Sequence, residues 1–429
     1  MSLVVGPASG GTEPLRFDVP ASKSYVLRAM ALAALRGRGS VRRRGSDGTD
    51  VAAFLQGLTV LGAEIEATPE MLTVRRGVRR TPADPVVVRV EDGGAPARFL
   101  AAIAATGKRA VTLEAGPRLR LRPFGPLFAA LRELGVEIES RGDTPPAVIR
   151  GPARGGAFEA ALGEVSSQFV SALLLIAPAL GEPFELGLTG VLRSPGYVDM
   201  TVAMLRAAGV RVRSAPGWWL VEPGFIGGRS DFDAPADWSS AAPLLATAAL
   251  SGRPAFVTEL MADDGQPDAA FLGHASALGM EMSIERGGVL AKGRPTRSAV
   301  LDLGASPDLA PTLAVLAAVT PGGAVLRGAP HLKAKESDRI ASLTALLNAA
   351  GIPAKARPDG LEVPGTWADR PPGSETPWDA PASADHRLIQ AAALLGLVRP
   401  VRIADAGHVA KSFPEFFSGF PAVLREETP

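Results

Sequence analysis

Two carboxylates set among cations are the residues of this sequence best suited to move a proton. Asp308 follows Pro307, and Glu336 lies within the run Lys335-Glu336-Ser337-Asp338-Arg339. A carboxylate surrounded by positive charge stays ionised easily, and can take a proton from a hydroxyl or deliver one to carbon. The ordinary alternatives are a helix cap for Asp308 and first-turn dipole matching for Glu336, and residue types alone leave both open. Lys23, Arg122, Lys335, Arg339, Arg387 and Lys411 fall at expected helix starts. A cation there opposes the helix dipole, at a cost of ~0.3–1 kcal/mol when exposed. An unfavourable placement repeated at equivalent helices points to a ligand, and predicts a cationic cleft that binds small polyanions through phosphate and carboxylate groups. Asp50, Asp237, Ser239 and Ser240 read instead as plain N-caps.

The elements that must position these residues repeat. Gly62, Gly135, Gly209, Gly279 and Gly351 recur at intervals of roughly 72 residues, each after small apolar residues and before an alternating segment. A glycine in that setting suits the left-handed position just past a helix, and the alternation reads as a half-buried strand. A second series keeps the same phase: alanine-rich helices are expected to begin near Lys23, Ala95, Ser167, Ser239, Asp308 and His386. Each repeat reads as strand, apolar helix, strand, amphipathic helix and hairpin, exemplified by 210–213 and 218–221. The expected fold class is α/β, with six βαβαββ units in two domains of three, packed around buried helices. Phe416-Phe417-Ser418-Gly419 falls where a sixth amphipathic helix should end, with a weaker match.

Composition removes several function classes. The net charge of +1 gives no reason to expect a nucleic-acid or membrane partner. No cysteine is present, which excludes disulfides, thiolate nucleophiles and cysteine-held zinc. Four dispersed histidines argue against a histidine metal centre. The longest apolar run, residues 169–180, is far short of the ~20 residues of a membrane span, and no secretory leader is evident. The expectation is a cytoplasmic, monomeric protein with no cofactor and no metal. The basic stretch 36–44 is expected to be a solvated hairpin, and Trp218 and Trp219 to pack on a sheet face.

Taken in order, the motifs resemble those of 5-enolpyruvylshikimate-3-phosphate (EPSP) synthases over residues 20–417. Pro20-Ala21-Ser22-Lys23-Ser24 with Arg28 resembles the family's opening Pro-Gly-Ser-Lys-Ser…Arg, and Arg122-Pro123 its central arginine motif. Ser166-Ser167-Gln168-Phe169, Ser194 with Tyr197, Pro307-Asp308 and the Lys335 to Arg339 run match successive segments. Asp385-His386-Arg387 and Lys411-Ser412-Phe413-Pro414 complete the series. The resemblance implies transfer of the enolpyruvyl group of phosphoenolpyruvate to the 5-hydroxyl of shikimate 3-phosphate, in aromatic amino-acid biosynthesis, without metal. It implies that Ser24, Arg28, Ser166, Ser167, Ser194 and Tyr197 hold shikimate 3-phosphate, with Lys23, Gln168, Asp308 and Lys335 also in contact. Arg28 would face its carboxylate, and Ser166, Ser167 and Ser194 its phosphate. Lys23, Gly94, Arg122, Gln168 and Lys411 would hold the phosphate of phosphoenolpyruvate, and Arg339 and Arg387 its carboxylate. The catalytic residues would be Asp308 as base for the 5-hydroxyl, Glu336 at the methylene carbon and Lys23 at the departing phosphate. The expected domains are residues 1–18 with 236–429, and an inserted domain of residues 19–235. The alternatives are a UDP-N-acetylglucosamine enolpyruvyl transferase, which typically uses a loop cysteine, and a non-catalytic relative that binds anionic metabolites.

One stretch departs from the family pattern Asn-Ala-Gly-Thr-Ala-x-Arg-Pro. It reads here Asp92-Gly93-Gly94-Ala95-Pro96-Ala97-Arg98-Phe99, keeping the glycine and losing the threonine hydroxyl. His331 stands where asparagine is usual. Asp92, Ala95, Pro96 and Phe99 are all expected to disturb one helix start, weakening phosphoenolpyruvate and the herbicide glyphosate. With cations divided between two halves of the chain, shikimate 3-phosphate is also expected to compact the molecule. Small-angle scattering checks this: the radius of gyration should fall on saturation with the ligand.

Overall fold

Eleven α-helices alternate between two kinds among the described residues. They are α1 (Lys23–Arg36), α2 (Thr49–Val60), α3 (Gly94–Ala104), α4 (Gly125–Glu133), α5 (Ser167–Ile176), α6 (Gly196–Ala207), α7 (Trp238–Ser251), α8 (Phe271–Ala277), α9 (Ala310–Ala318), α10 (Arg339–Ala349) and α11 (His386–Gly396). The computed structural model describes residues 2–7, 13–78, 84–164, 166–367 and 376–427. The odd-numbered helices are buried nearly all round: every residue of α9 and α11 is buried, as are 238–250 of α7. Small alanines allow this, because three such helices can pack against one another without a polar face to solvate. The even-numbered helices bury a single stripe. In α10 it is Arg339, Ile340, Leu343, Leu346 and Leu347, the spacing of one helical face.

Among the described residues, six four-stranded sheets complete the six units. Each has the same order: two parallel strands that flank an odd-numbered helix in the fold, then an antiparallel strand, then its antiparallel edge partner. In one, Val86–Val90 pairs parallel with Ala110–Ala115, which pairs antiparallel with Thr144–Arg150, and that with Glu137–Arg141. The five repeated glycines all have positive φ, between 80° and 101°, so a side chain at any of them would strain the turn from helix to strand.

The chain forms two compact units: Met1–Ser22 with Gly45–Gly48 and Pro235–Pro429 (unit 1), and Lys23–Arg44 with Thr49–Ala234 (unit 2). In unit 1, α7, α9 and α11 pack against one another, and in unit 2 α1, α3 and α5 do the same. Two strands are exchanged along the sequence. Leu15–Phe17 precedes α1 but pairs with Ala255–Thr258, while Asp231–Asp233 precedes α7 but pairs with Gly39–Arg42. The sixth sheet closes the chain on itself, with Ser2–Pro7 between Val401–Ile403 and Ala422–Glu427.

Two local expectations need correction. The sixth amphipathic helix is replaced by a 3-10 turn, Ala406–Lys411. Beyond it Phe413, Phe416, Phe417 and Phe420 pack ring against ring. Residues 36–44 form a helix end and a strand, not a hairpin. Arg36 is held there because its guanidinium donates to the carbonyls of Arg229 (2.8 Å) and Gly227 (2.9 Å) and lies over Phe225. Trp219 is buried on its sheet as expected, and Trp218 beside it is half-buried, its indole N–H donating to Glu185 at 2.8 Å.

Candidate active site

The starts of α7, α9 and α11 converge in unit 1, and hydrogen bonds between their residues record it. Arg339, the first residue of α10, is 1% exposed and joins three carboxylates. Its Nη1 donates to Asp308 (2.7 Å), Nη2 to Glu336 (2.8 Å), and Nε and Nη2 to Asp385 (2.8 and 3.2 Å). Lys335 Nζ lies 3.2 Å from Asp308, and Lys411 Nζ 3.4 Å from Glu336. Asp385 caps α11 through the N–H of Arg387 and also accepts from Ser337. Arg387 donates from Nη1 to the carbonyl of Ser239 and from Nη2 to its hydroxyl. That hydroxyl donates in turn to Asp237, the N-cap of α7, at 2.7 Å.

Burial alone would push the Asp308 carboxyl up, but Lys335, Arg339 and Arg387 together outweigh it and hold the group well below its ordinary value. The side chain of Asp308 keeps 26% of its surface exposed and that of Glu336 15%, so each carboxylate retains an open edge. The result is two ionisable carboxylates in one cationic network, each beside a lysine.

Unit 2 gathers the starts of α1, α3 and α5 in the same way. Lys23, the first residue of α1, pairs with Asp50 at 2.8 Å. Asp50 is therefore not a cap: α2 begins one residue earlier, at Thr49, and the carboxylate serves Lys23. Gly93, the N-cap of α3, lies against Asp50, and Gly94 against the Arg122 guanidinium. A Cβ on Gly94 would lie 2.5 Å from Arg122 Nη1, so a side chain there would push that guanidinium away from the helix start. Ser166 caps α5 and accepts from the N–H of Gln168, while Ser167 is the first helical residue. Arg98 donates to the Gln168 side-chain oxygen (2.5 Å) and to the Pro123 carbonyl (3.1 Å), between the rings of Phe124 and Phe169. With its oxygen accepting from Arg98, the Gln168 amide has its N–H₂ as its remaining donor. Ser194 precedes α6 with φ of 52°, a left-handed conformation uncommon for serine.

Arg28 is directed inward. Its donors reach Thr201, Ser171, the carbonyl of Ser24 and that of Tyr197, and burial lowers its pKa from the ordinary arginine value to about 10.

Not every expected cation sits at an α-helix start. Lys23, Arg339 and Arg387 do, whereas Arg122 follows the 3-10 turn Leu119–Leu121, Lys335 follows Pro330–Ala334, and Lys411 ends Ala406–Lys411. Short turns replace helical entries there, so the dipole argument applies to half of the set. Asp50, Arg98, Ser239 and Asp385 were not singled out as site residues. Arg98 and Asp385 lie within motifs, and Asp50 and Ser239 read as caps, but the contacts that matter are 27 to 148 residues distant in sequence.

The match to the EPSP synthase (3-phosphoshikimate 1-carboxyvinyltransferase) family model spans residues 15–420. The chain belongs to the EPSP synthase family. A 3-phosphoshikimate 1-carboxyvinyltransferase of Methanothrix thermoacetophila is 36% identical over 405 residues, covering 93% of both chains. One of Syntrophobacter fumaroxidans is 36% identical and covers 98% of this chain and 99% of its own. The solved EPSP synthase of Acinetobacter baumannii superimposes with a TM-score of 0.76 at 23% identity, over 99% of this chain, and shows the shared fold.

The altered stretch of this EPSP synthase family member does not act at one point. Asp92 turns away to accept from the N–H of Leu119 at 3.1 Å, and the Phe99 ring lies over Arg28. Only Ala95 and Pro96 remain at the start of α3. Pro96 is the third helical residue, where its missing N–H is one that the helix leaves unpaired. Restoring Ala95→Thr with Pro96→Ala should therefore tighten phosphoenolpyruvate and glyphosate, each by about 10-fold for one charge-assisted hydrogen bond regained. Titration of both ligands checks this, and no tightening of either would remove the start of α3 from their binding.

Proposed function

We infer that this chain transfers the enolpyruvyl group of phosphoenolpyruvate to the 5-hydroxyl of shikimate 3-phosphate and releases inorganic phosphate. The observation that carries the reading is the pair Asp308 and Glu336, joined through buried Arg339, each carboxylate with its own lysine. The 5-hydroxyl oxygen bonds to C2 of phosphoenolpyruvate while its proton passes to Asp308, beside Lys335. Glu336 delivers a proton to C3, which becomes a methyl group. In the second step Glu336 takes a proton back from C3, the double bond re-forms as the C2–O bond to phosphate breaks, and phosphate leaves with Lys23 at its oxygens, carrying away the proton that Asp308 took from the 5-hydroxyl. Proton gain and loss at C3 balance, and no redox partner is needed.

The binding roles follow the same proposal. Lys23, Gly94, Arg122, Gln168 and Lys411 take the phosphoenolpyruvate phosphate, with Arg339 and Arg387 toward its carboxylate. Ser24, Arg28, Ser166, Ser167, Ser194 and Tyr197 take shikimate 3-phosphate. Fixed cations and helix N-termini stabilise charge that grows in the transition state without reorganising to do so. We also propose that the protein works as a monomer in the cytoplasm. Light scattering and cell fractionation test those two points.

The deciding experiment is phosphate release by purified protein. Release should require both substrates together, and deuterium from solvent should enter the methylene group of recovered phosphoenolpyruvate. Binding of both without release would instead indicate a non-catalytic relative.

A further inference from the structure

Arg28 carries a charge that the protein does not neutralise. It is 3% exposed, and no carboxylate of the described residues pairs with it. Its surroundings are neutral. Nε donates to the Thr201 hydroxyl (2.8 Å), Nη1 to the Ser24 carbonyl (2.8 Å), and Nη2 to the Ser171 hydroxyl (3.2 Å) and the Tyr197 carbonyl (3.0 Å). A guanidinium has five N–H groups, so one on Nη1 is left over. Thr201 and Ser171, both fully buried, bond to each other at 3.0 Å, and Thr201 also reaches the Tyr197 carbonyl at 2.9 Å. The faces of the guanidinium are covered by the rings of Phe99 (5.4 Å) and Tyr197 (6.0 Å). Phe99 is itself held edge-on by Phe54.

We propose that Phe99 and the Thr201–Ser171 hydroxyl pair are positioning residues that keep Arg28 charged, buried and aimed, with one N–H presented to the carboxylate of shikimate 3-phosphate. The inference rests on the reading of Arg28 given above. A buried cation without a counter-ion would be expelled or would lose its proton unless dipoles and ring faces stabilised it. The hydroxyl pair fixes the direction of Nε and Nη2, so the rotation of the fork is set by residues that need not touch the ligand. The aromatic residue at 99, a departure from the proline of the family pattern, then belongs to the shikimate 3-phosphate half of the site. It is not part of the phosphoenolpyruvate half.

Steady-state kinetics with each substrate varied tests this. Phe99→Met keeps side-chain bulk without a ring, and Thr201→Val keeps shape without the hydroxyl. Each should raise the KM for shikimate 3-phosphate about 10-fold, the size expected for one desolvated cation–π contact or one charged hydrogen bond. The KM for phosphoenolpyruvate and kcat should stay within about 2-fold of wild type, for which this assay is the baseline. Thr201→Ser should recover most of the loss, which a packing defect would not predict. Arg28→Met is the control for the underlying reading and should raise the same KM by more than either variant. If Arg28→Met leaves that KM unchanged, the reading of Arg28 fails and the inference with it. If Arg28→Met raises it while Phe99→Met and Thr201→Val do not, or raise both KM values equally, the positioning role alone is overturned. Should Phe99→Met melt below the assay temperature, the Thr201 pair decides the outcome.

Discussion

Asp308→Asn and Glu336→Gln should each lower turnover by about 10²–10⁴-fold, the range for a general acid or base held in place. Both substitutions preserve shape and remove the charge that takes or returns the proton. The two losses should differ in kind. Asp308 sits between Lys335 and Arg339 and is proposed as the base for the 5-hydroxyl, so in the amide the first carbon–oxygen bond should form slowly. Glu336, beside Lys411, is proposed to act at carbon, so Glu336→Gln should also suppress deuterium incorporation into phosphoenolpyruvate. Affinity for shikimate 3-phosphate, measured by calorimetry, should change little in either. Wild-type turnover in one variant would remove that residue from the mechanism.

Arg339→Leu should destabilise unit 1 by about 3–5 kcal/mol, the cost of removing one partner from a buried ion network. Three carboxylates meet this guanidinium, and the Asp385 side chain is 0% exposed, so the leucine leaves close-packed negative charge without a cation at its centre. The dependence on pH gives the signature. In the wild type the Asp308 carboxyl is held well below its ordinary value of 3.8, so its contribution to stability is present above pH ~4 and is lost as acid protonates it. In Arg339→Leu that contribution shrinks, and acid relieves the repulsion among the carboxylates. The gap between wild type and variant should therefore be largest near neutrality and narrow toward pH 4. Calorimetric melts across that range check it. A gap that does not vary with pH would mean the loss comes from packing alone.

Much of this architecture was legible because it is periodic. The five glycines in left-handed turns and the buried alanine-rich helices follow from local rules that a linear pattern expresses: backbone freedom past a helix, and apolar residues all round it. Glu336 stood out as a carboxylate beside Lys335 in the chain, and Asp308 as one at an expected helix start among the series that carries the cations. What only the tertiary structure decided is which partners those groups have. Asp50 looked like a cap and proved to be the partner of Lys23, and Ser239 looked like a cap and holds Arg387 from 148 residues away. Phe99 seemed to belong to the helix start before it, yet its ring lies over Arg28, because a side chain four or five residues into a helix faces wherever the helix turns it. The exchange of Leu15–Phe17 and Asp231–Asp233 between sheets is likewise invisible in the repeat. Both are three-residue strands of alternating burial, so neither pattern names its partner. Pairing is selected by which edge the connecting chain can reach, and local residue preference does not encode that.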